Sequence, residues 1–172
     1  MKKNILSLGI FIALLMFSCE GPEGPPGRDG VDGAPGDYII GQTYEIANIN
    51  FSSNKLNERF TFPESNVDGD AVLVYRLEAV DNGLDVWEPL PTATIFFDGG
   101  GYFQYRFNYT LGDVDIIAES DDIDAVGAEF TKNQVFRIIV MPADLASTMD
   151  TNNINAVMSQ LNITENDIQD IQ

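Results

Sequence analysis

The sequence predicts an all-β fold: an antiparallel β-sandwich of about seven strands with a short C-terminal helix, preceded by a cleaved signal and an extended stalk. Three observations carry this prediction. After residue 38 the apolar residues fall in short alternating or continuous runs, rich in Val, Ile, Phe and Tyr and divided by turn formers, which is the pattern of strands in a sandwich. A helical period occurs only near the C-terminus. Before residue 38 the composition is of another kind, first basic and apolar, then glycine at every third position. The expected organisation is therefore a signal at 1–18, a stalk at 19–38 and a folded domain at 39–172.

Lys2 and Lys3 precede an apolar run from Ile5 to Phe17. That run is shorter than the about 20 residues needed to cross a ~30 Å hydrocarbon core, so it reads as a cleaved export signal. The signal ends in Met16-Phe17-Ser18-Cys19, with the only cysteine of the chain at the cleavage point. It resembles a bacterial lipoprotein signal, with Ser18 as the small residue before the cysteine and with Met16 and Phe17 departing from the usual pattern. The resemblance implies a diacylglyceryl group on the Cys19 thiol, cleavage before Cys19 and acylation of the new amino terminus. Two or three acyl chains meet the two-signal requirement for stable anchoring. Cleavage would leave seven basic against 27 acidic side chains, a net charge of −20. Anionic head groups repel such a chain, so acyl groups and not a basic patch would hold it at a membrane.

Gly21, Gly24, Gly27, Gly30, Gly33 and Gly36 open six consecutive Gly-x-y triplets. The period is that of the collagen triple helix, whose crowded axis admits only glycine. Two readings stand side by side. Three chains form a short homotrimeric triple helix, or each remains a single spacer reaching at most about 56 Å in polyproline II geometry. Only Pro26 and Pro35 occupy the third place of a triplet, so a trimer would draw on membrane co-localisation or on the folded domain.

The strands of the folded domain are expected at 43–51, 57–62, 70–79, 92–97, 101–110, 113–118 and 134–141. In the fifth of these, Phe103, Tyr105, Phe107 and Tyr109 alternate with Gln104, Arg106 and Asn108, a period of two. Asp98-Gly99-Gly100-Gly101 joins two apolar runs as a hairpin, and no helix follows it to make a dinucleotide loop. Ile154, Val157, Met158 and Leu161 form one helical stripe behind a cap at Asn152 or Asn153, a pattern expected to pack on the helix's own domain. Ile163, Ile168 and Ile171 follow a capping-box-like Thr164-Glu165-Asn166-Asp167 and either extend that packing or fray.

Composition removes much chemistry. The 172 residues include 9 Lys and Arg, 27 Asp and Glu, no His and one Cys, with a net charge of −18. Triads built on His, His-containing zinc sites and internal disulfides are thereby excluded, and phosphate repulsion argues against nucleic acid as a partner. No catalytic residue and no cofactor is expected. The weak calcium candidates are Asp121, Asp122 and Asp124, weighed against solvated acidic loops, because calcium takes six to eight oxygen ligands and no EF-hand pattern occurs. Trp87, before Pro89 and Pro91, and Tyr102, Tyr105 and Tyr109 are candidates for stacking on sugars, weighed against a place in the core.

The signal, then Gly-Pro-Glu-Gly-Pro-Pro-Gly, Ile40-Gly41-Gln42, Val72 to Glu78, Asp85 to Pro91 and Gln134 to Asp144 together resemble small collagen-like lipoproteins of flavobacteria and related Gram-negative bacteria. The resemblance implies location and architecture and carries no mechanism. The expectation is a lipid-anchored protein of the outer membrane or cell surface that displays a small β domain on its stalk, in a structural or interaction role. The alternative is a glycan- or calcium-binding surface module, and the protein or glycan partner is left unspecified.

Overall fold

The computed structural model describes residues 41–171. The signal, Cys19 and the repeat glycines Gly21, Gly24, Gly27, Gly30, Gly33 and Gly36 lie outside the described residues. Nine strands and a few short helices form the described part, arranged as two sheets. In chain order the strands are β1 (Gln42–Ile49), β2 (Asn57–Thr61), β3 (Asp70–Asp81), β4 (Leu84–Pro89), β5 (Ile95–Phe96), β6 (Tyr102–Tyr109), β7 (Asp113–Ser120), β8 (Gln134–Pro142) and β9 (Gln169–Ile171). The helices are α1 (Ala128–Thr131), α2 (Ala143–Ala146) and α3 (Ile154–Gln160).

The larger sheet has the order β4-β3-β8-β1-β9 and the smaller β2-β7-β6-β5. Neighbours pair antiparallel except β1 and β9, which are parallel. The seven expected strands are present; β4 and β9 are additional. β4 returns from β3 through Asn82 and Gly83, whose φ values of 50° and 81° are both positive, as a two-residue hairpin turn needs. Pro89 ends this edge strand, where its missing N–H costs no ladder bond. Likewise the expected glycine hairpin joins β5 to β6, with positive φ at Gly100 and Gly101.

The two sheets face each other across one core. Tyr44 and Ile46 of β1, Val72 and Val74 of β3, and Phe136, Ile138 and Val140 of β8 meet Phe103 and Tyr105 of β6 and Val114, Ile116 and Ala118 of β7. Aromatic rings bridge the layers, Tyr105 to Phe136 with centroids 5.2 Å apart and Tyr44 to Phe60 at 5.4 Å. This is the sandwich-like packing that the alternating runs predict.

A second core lies on the outer face of the larger sheet. Tyr75, Ile139 and Met141 lie there beneath Ile154, Val157 and Met158 of α3, with Leu161 and Ile163. The expected C-terminal helix thus packs on its own domain, capped by the Asn153 side chain, which accepts from the Ala156 N–H at 3.2 Å. β8 is the shared wall, with alternate residues buried in the two cores, which is why its run from Phe136 to Met141 contains so little polar sequence. Asp167 accepts from both the N–H and the hydroxyl of Thr164, at 2.8 and 2.6 Å, and holds the short 3-10 turn Glu165–Asp167 that leads into β9. Among the described residues no helix is long and apolar enough to cross a membrane.

Candidate functional site

The predicted acidic candidates fall on the loop after β7. Asp121 accepts from the backbone N–H of Tyr102 at 3.0 Å and of Asp122 at 3.1 Å, so its carboxylate ties this loop to the glycine hairpin. Asp124 takes a long bond from the Ser53 N–H at 3.4 Å. Among the described residues no three Asp or Glu side chains gather closely enough to hold a metal ion.

The aromatic candidates separate. Tyr105 is buried in the sandwich core, its hydroxyl donating to the Phe130 carbonyl, and burial raises its phenol above the ordinary range. Tyr109 is the last residue of β6, 46% exposed and stacked on Phe107 with centroids 6.2 Å apart. Tyr102 is half-buried at the start of the strand. These three do not share a site. Trp87, a candidate for sugar stacking weighed against a place in the core, is half-buried on the edge strand β4 and packs against the second core, on the outer face of the larger sheet, not inside the sandwich.

Strand register explains what Trp87 touches. Glu45 on β1 pairs with Arg137 on β8, Arg137 pairs with Tyr75 on β3, and Tyr75 pairs with Pro89 on β4. Paired residues share a face, so Glu45, Arg137 and Tyr75 all point to the outer side of the larger sheet, and Trp87, two residues before Pro89, points there too. Arg137 crosses the row and lies 4.4 Å from the centroid of the indole. Such a pair gains from the ring quadrupole, more so when the cation is withdrawn from water.

Arg137 itself is only 4% exposed, and every guanidinium N–H is used. Nε and Nη2 donate to one oxygen of Glu45 at 3.1 and 2.7 Å. Nη1 and Nη2 grip the two oxygens of Glu165 at 3.1 and 3.0 Å, and Nη1 also meets the Met158 sulfur at 3.4 Å. One carboxylate comes from β1 and the other from the 3-10 turn after α3, so the ion joins the sheet to its helical cover. The sequence reading missed it, because Glu45 is 92 residues away and nothing local marks an arginine within an apolar strand as paired.

A second buried guanidinium sits on the opposite face. Arg76 donates to the Gln134 side chain at 2.7 Å and the Glu129 carbonyl at 3.1 Å, and lies 5.4 Å from the Tyr105 ring centroid. Glu88 stands 3.7 Å from it. Burial raises the Glu88 carboxyl above the usual range and neighbouring Glu78 adds to this, while Arg76 and the Ala93 backbone pull it down.

Beside Trp87 an open cleft of about 910 Å³ runs between the β3–β4 hairpin and the start of α3. It is lined by Asp81, Asp85, Trp87, Arg137, Asn155 and Glu165, with Asn152 beside them. Polar and aromatic side chains thus line one cleft. It combines a fixed aromatic ring with amide and carboxylate groups, which suits binding by stacking and hydrogen bonds. Fold and cleft define a two-sheet all-β domain with a helical cover and an edge-strand aromatic site. No protein-family model, no curated protein and no solved structure matches the chain.

Proposed function

We propose that this chain is a lipid-anchored protein of the Gram-negative cell envelope, at the outer membrane or cell surface, which displays its β domain on a collagen-like stalk in a structural or interaction role. The observation that carries the reading is the order of segments: a basic and apolar leader ending at Cys19, six Gly-x-y triplets from Gly21, then a strand-forming domain. The domain is compatible with it, since the described residues form two hydrophobic cores. Changing Cys19 to Ala is expected to leave an uncleaved precursor that takes up no labelled palmitate. Normal processing of that variant would overturn the anchor.

A second reading, a ligand-binding surface module, is favoured by the cleft at Trp87. The geometry there speaks for a glycan rather than calcium, because the acidic candidates Asp121, Asp122 and Asp124 lie elsewhere and Asp121 is engaged with backbone N–H groups.

A further inference from the structure

We propose that the cleft between the β3–β4 hairpin and α3 is a binding site for a neutral glycan, with Trp87 as its stacking platform. The inference deepens the second reading above and concerns the folded domain alone, so it stands or falls separately from the lipid anchor.

A sugar site needs a fixed apolar plane for the ring and hydrogen-bonding groups for the hydroxyls. Trp87 supplies the plane. Its strand is held by the β3 ladder, and Arg137, locked by Glu45, Glu165 and Met158, presses on the indole at 4.4 Å. Little side-chain freedom is left to lose when a ligand arrives, which is the condition for useful affinity in a shallow site. The side chains of Asn152, Asn155 and Asp85 line the same cleft and enter no hydrogen bond among the described residues. Amides offer donors and acceptors together and carboxylates accept, a set that matches vicinal hydroxyls.

Charge narrows the ligand. Asp81, Asp85 and Glu165 rim the cleft, and the nearby cation, Arg137, has spent all its donors on protein groups. Uronates, sulfated sugars and phosphorylated lipid head groups would meet the carboxylates of Asp81 and Asp85, which enter no ion pair among the described residues. A basic peptide would be drawn by the rim, yet the favoured position for a cation near this indole is already taken by Arg137. A neutral saccharide is not repelled by the rim and would stack on the part of the half-buried indole that Arg137 does not cover.

Trp87 is the only tryptophan in the chain, so intrinsic emission reads the site directly. The full chain in mild detergent is titrated with cellohexaose, mannohexaose and N-acetylchitohexaose, with polygalacturonate as the anionic comparison. At least one neutral oligosaccharide is expected to give a saturable change with Kd below about 1 mM. That affinity is expected to hold between about 50 and about 500 mM NaCl, since no ion pair forms on binding. Asn155→Ala combined with Asp85→Ala, both away from the cores, should weaken it about tenfold, the equivalent of about 1.4 kcal/mol, with an unchanged thermal midpoint. No response to any neutral oligosaccharide, preference for polygalacturonate, affinity that collapses with salt, or full affinity in the double variant would each overturn the proposal.

Discussion

Arg137 and its two carboxylates illustrate how unequal the partners of one ion can be. The guanidinium is 4% exposed, the Glu45 side chain 23% and the Glu165 side chain 72%. Removing the arginine strands Glu45 against an apolar face and strips Trp87 of its partner, so Arg137→Ala should cost about 3–5 kcal/mol in urea unfolding. Glu165→Ala removes a solvated arm and should cost no more than about 1 kcal/mol. Equal losses for the two variants would refute this division. Glu88 makes one contribution to the pH dependence, opposite in sign to that of Asp115, whose carboxyl the Arg59 guanidinium holds below the usual range. Because burial raises the folded-state pKa of Glu88, the folded protein holds that proton more tightly than the unfolded chain does. The contribution is fully present below the unfolded value of about 4.3 and is lost as pH rises through the folded value. Glu88→Gln should therefore raise the thermal midpoint at neutral pH and leave it nearly unchanged near pH 4, a contrast that melting curves at the two pH values will read. None of these pairings was legible in the sequence. Alternation shows which face of β8 Arg137 takes, but its partners come from β1 and from beyond α3, and only the assembled register brings them together.

At the scale of elements, β8 bears two cores at once. Ile139 faces the helical layer and Ile138 the sandwich, and both are fully buried. Truncating either to Ala should cost about 2–5 kcal/mol, with neither loss confined to a local region, because each layer is fixed to the same strand. A hydrogen-exchange pattern in which Ile139→Ala released only the helices would contradict this. The glycine hairpin is the complementary case. Gly101 has φ 92°, and a Cβ there would lie 3.0 Å from an Asp121 oxygen, so Gly101→Ala suffers backbone strain and a tight contact to which the Asp121 side chain must yield. β6 is readable because period and turn chemistry agree, whereas the strand expected at 92–97 shortens to the exposed pair Ile95–Phe96. β4 is not readable, since Leu84-Asp85-Val86-Trp87-Glu88-Pro89 mixes acids and proline into a run that only an edge position tolerates. β9 was missed for a different reason: three residues are too few to show a period, and their parallel pairing with β1 is non-local. The continuous apolar run of β8 did carry a sign of burial on both faces, and the helical stripe at Ile154 to Leu161 named what covers the second one.

At the scale of the whole molecule, net charge of −18 sets the background for every local interaction. In the described domain Lys55, Arg59, Arg76, Arg106 and Arg137 each face a carboxylate, so most acids have no cation beside them. Self-repulsion should ease as salt screens it, and raising NaCl from about 20 to about 300 mM should lift the thermal midpoint by a few degrees. Magnesium and calcium should act alike in this. A saturable rise peculiar to calcium would instead show that the folded protein binds this ion, and its loss in Asp122→Ala or Asp124→Ala would be needed to place the site there. The parallel pairing of β1 with β9 bears on a different kind of stress. Tyr44 lies opposite Gln169 and Ile46 opposite Ile171, so the chain enters this pair at one end and leaves it at the other. Tension applied between residue 41 and Ile171 would slide the two strands past each other and load their hydrogen bonds together, whereas a hairpin pulled at its open end gives way one bond at a time. Resistance to pulling is governed by the unfolding barrier. A domain closed in this way is suited to bearing a tug between its two chain ends.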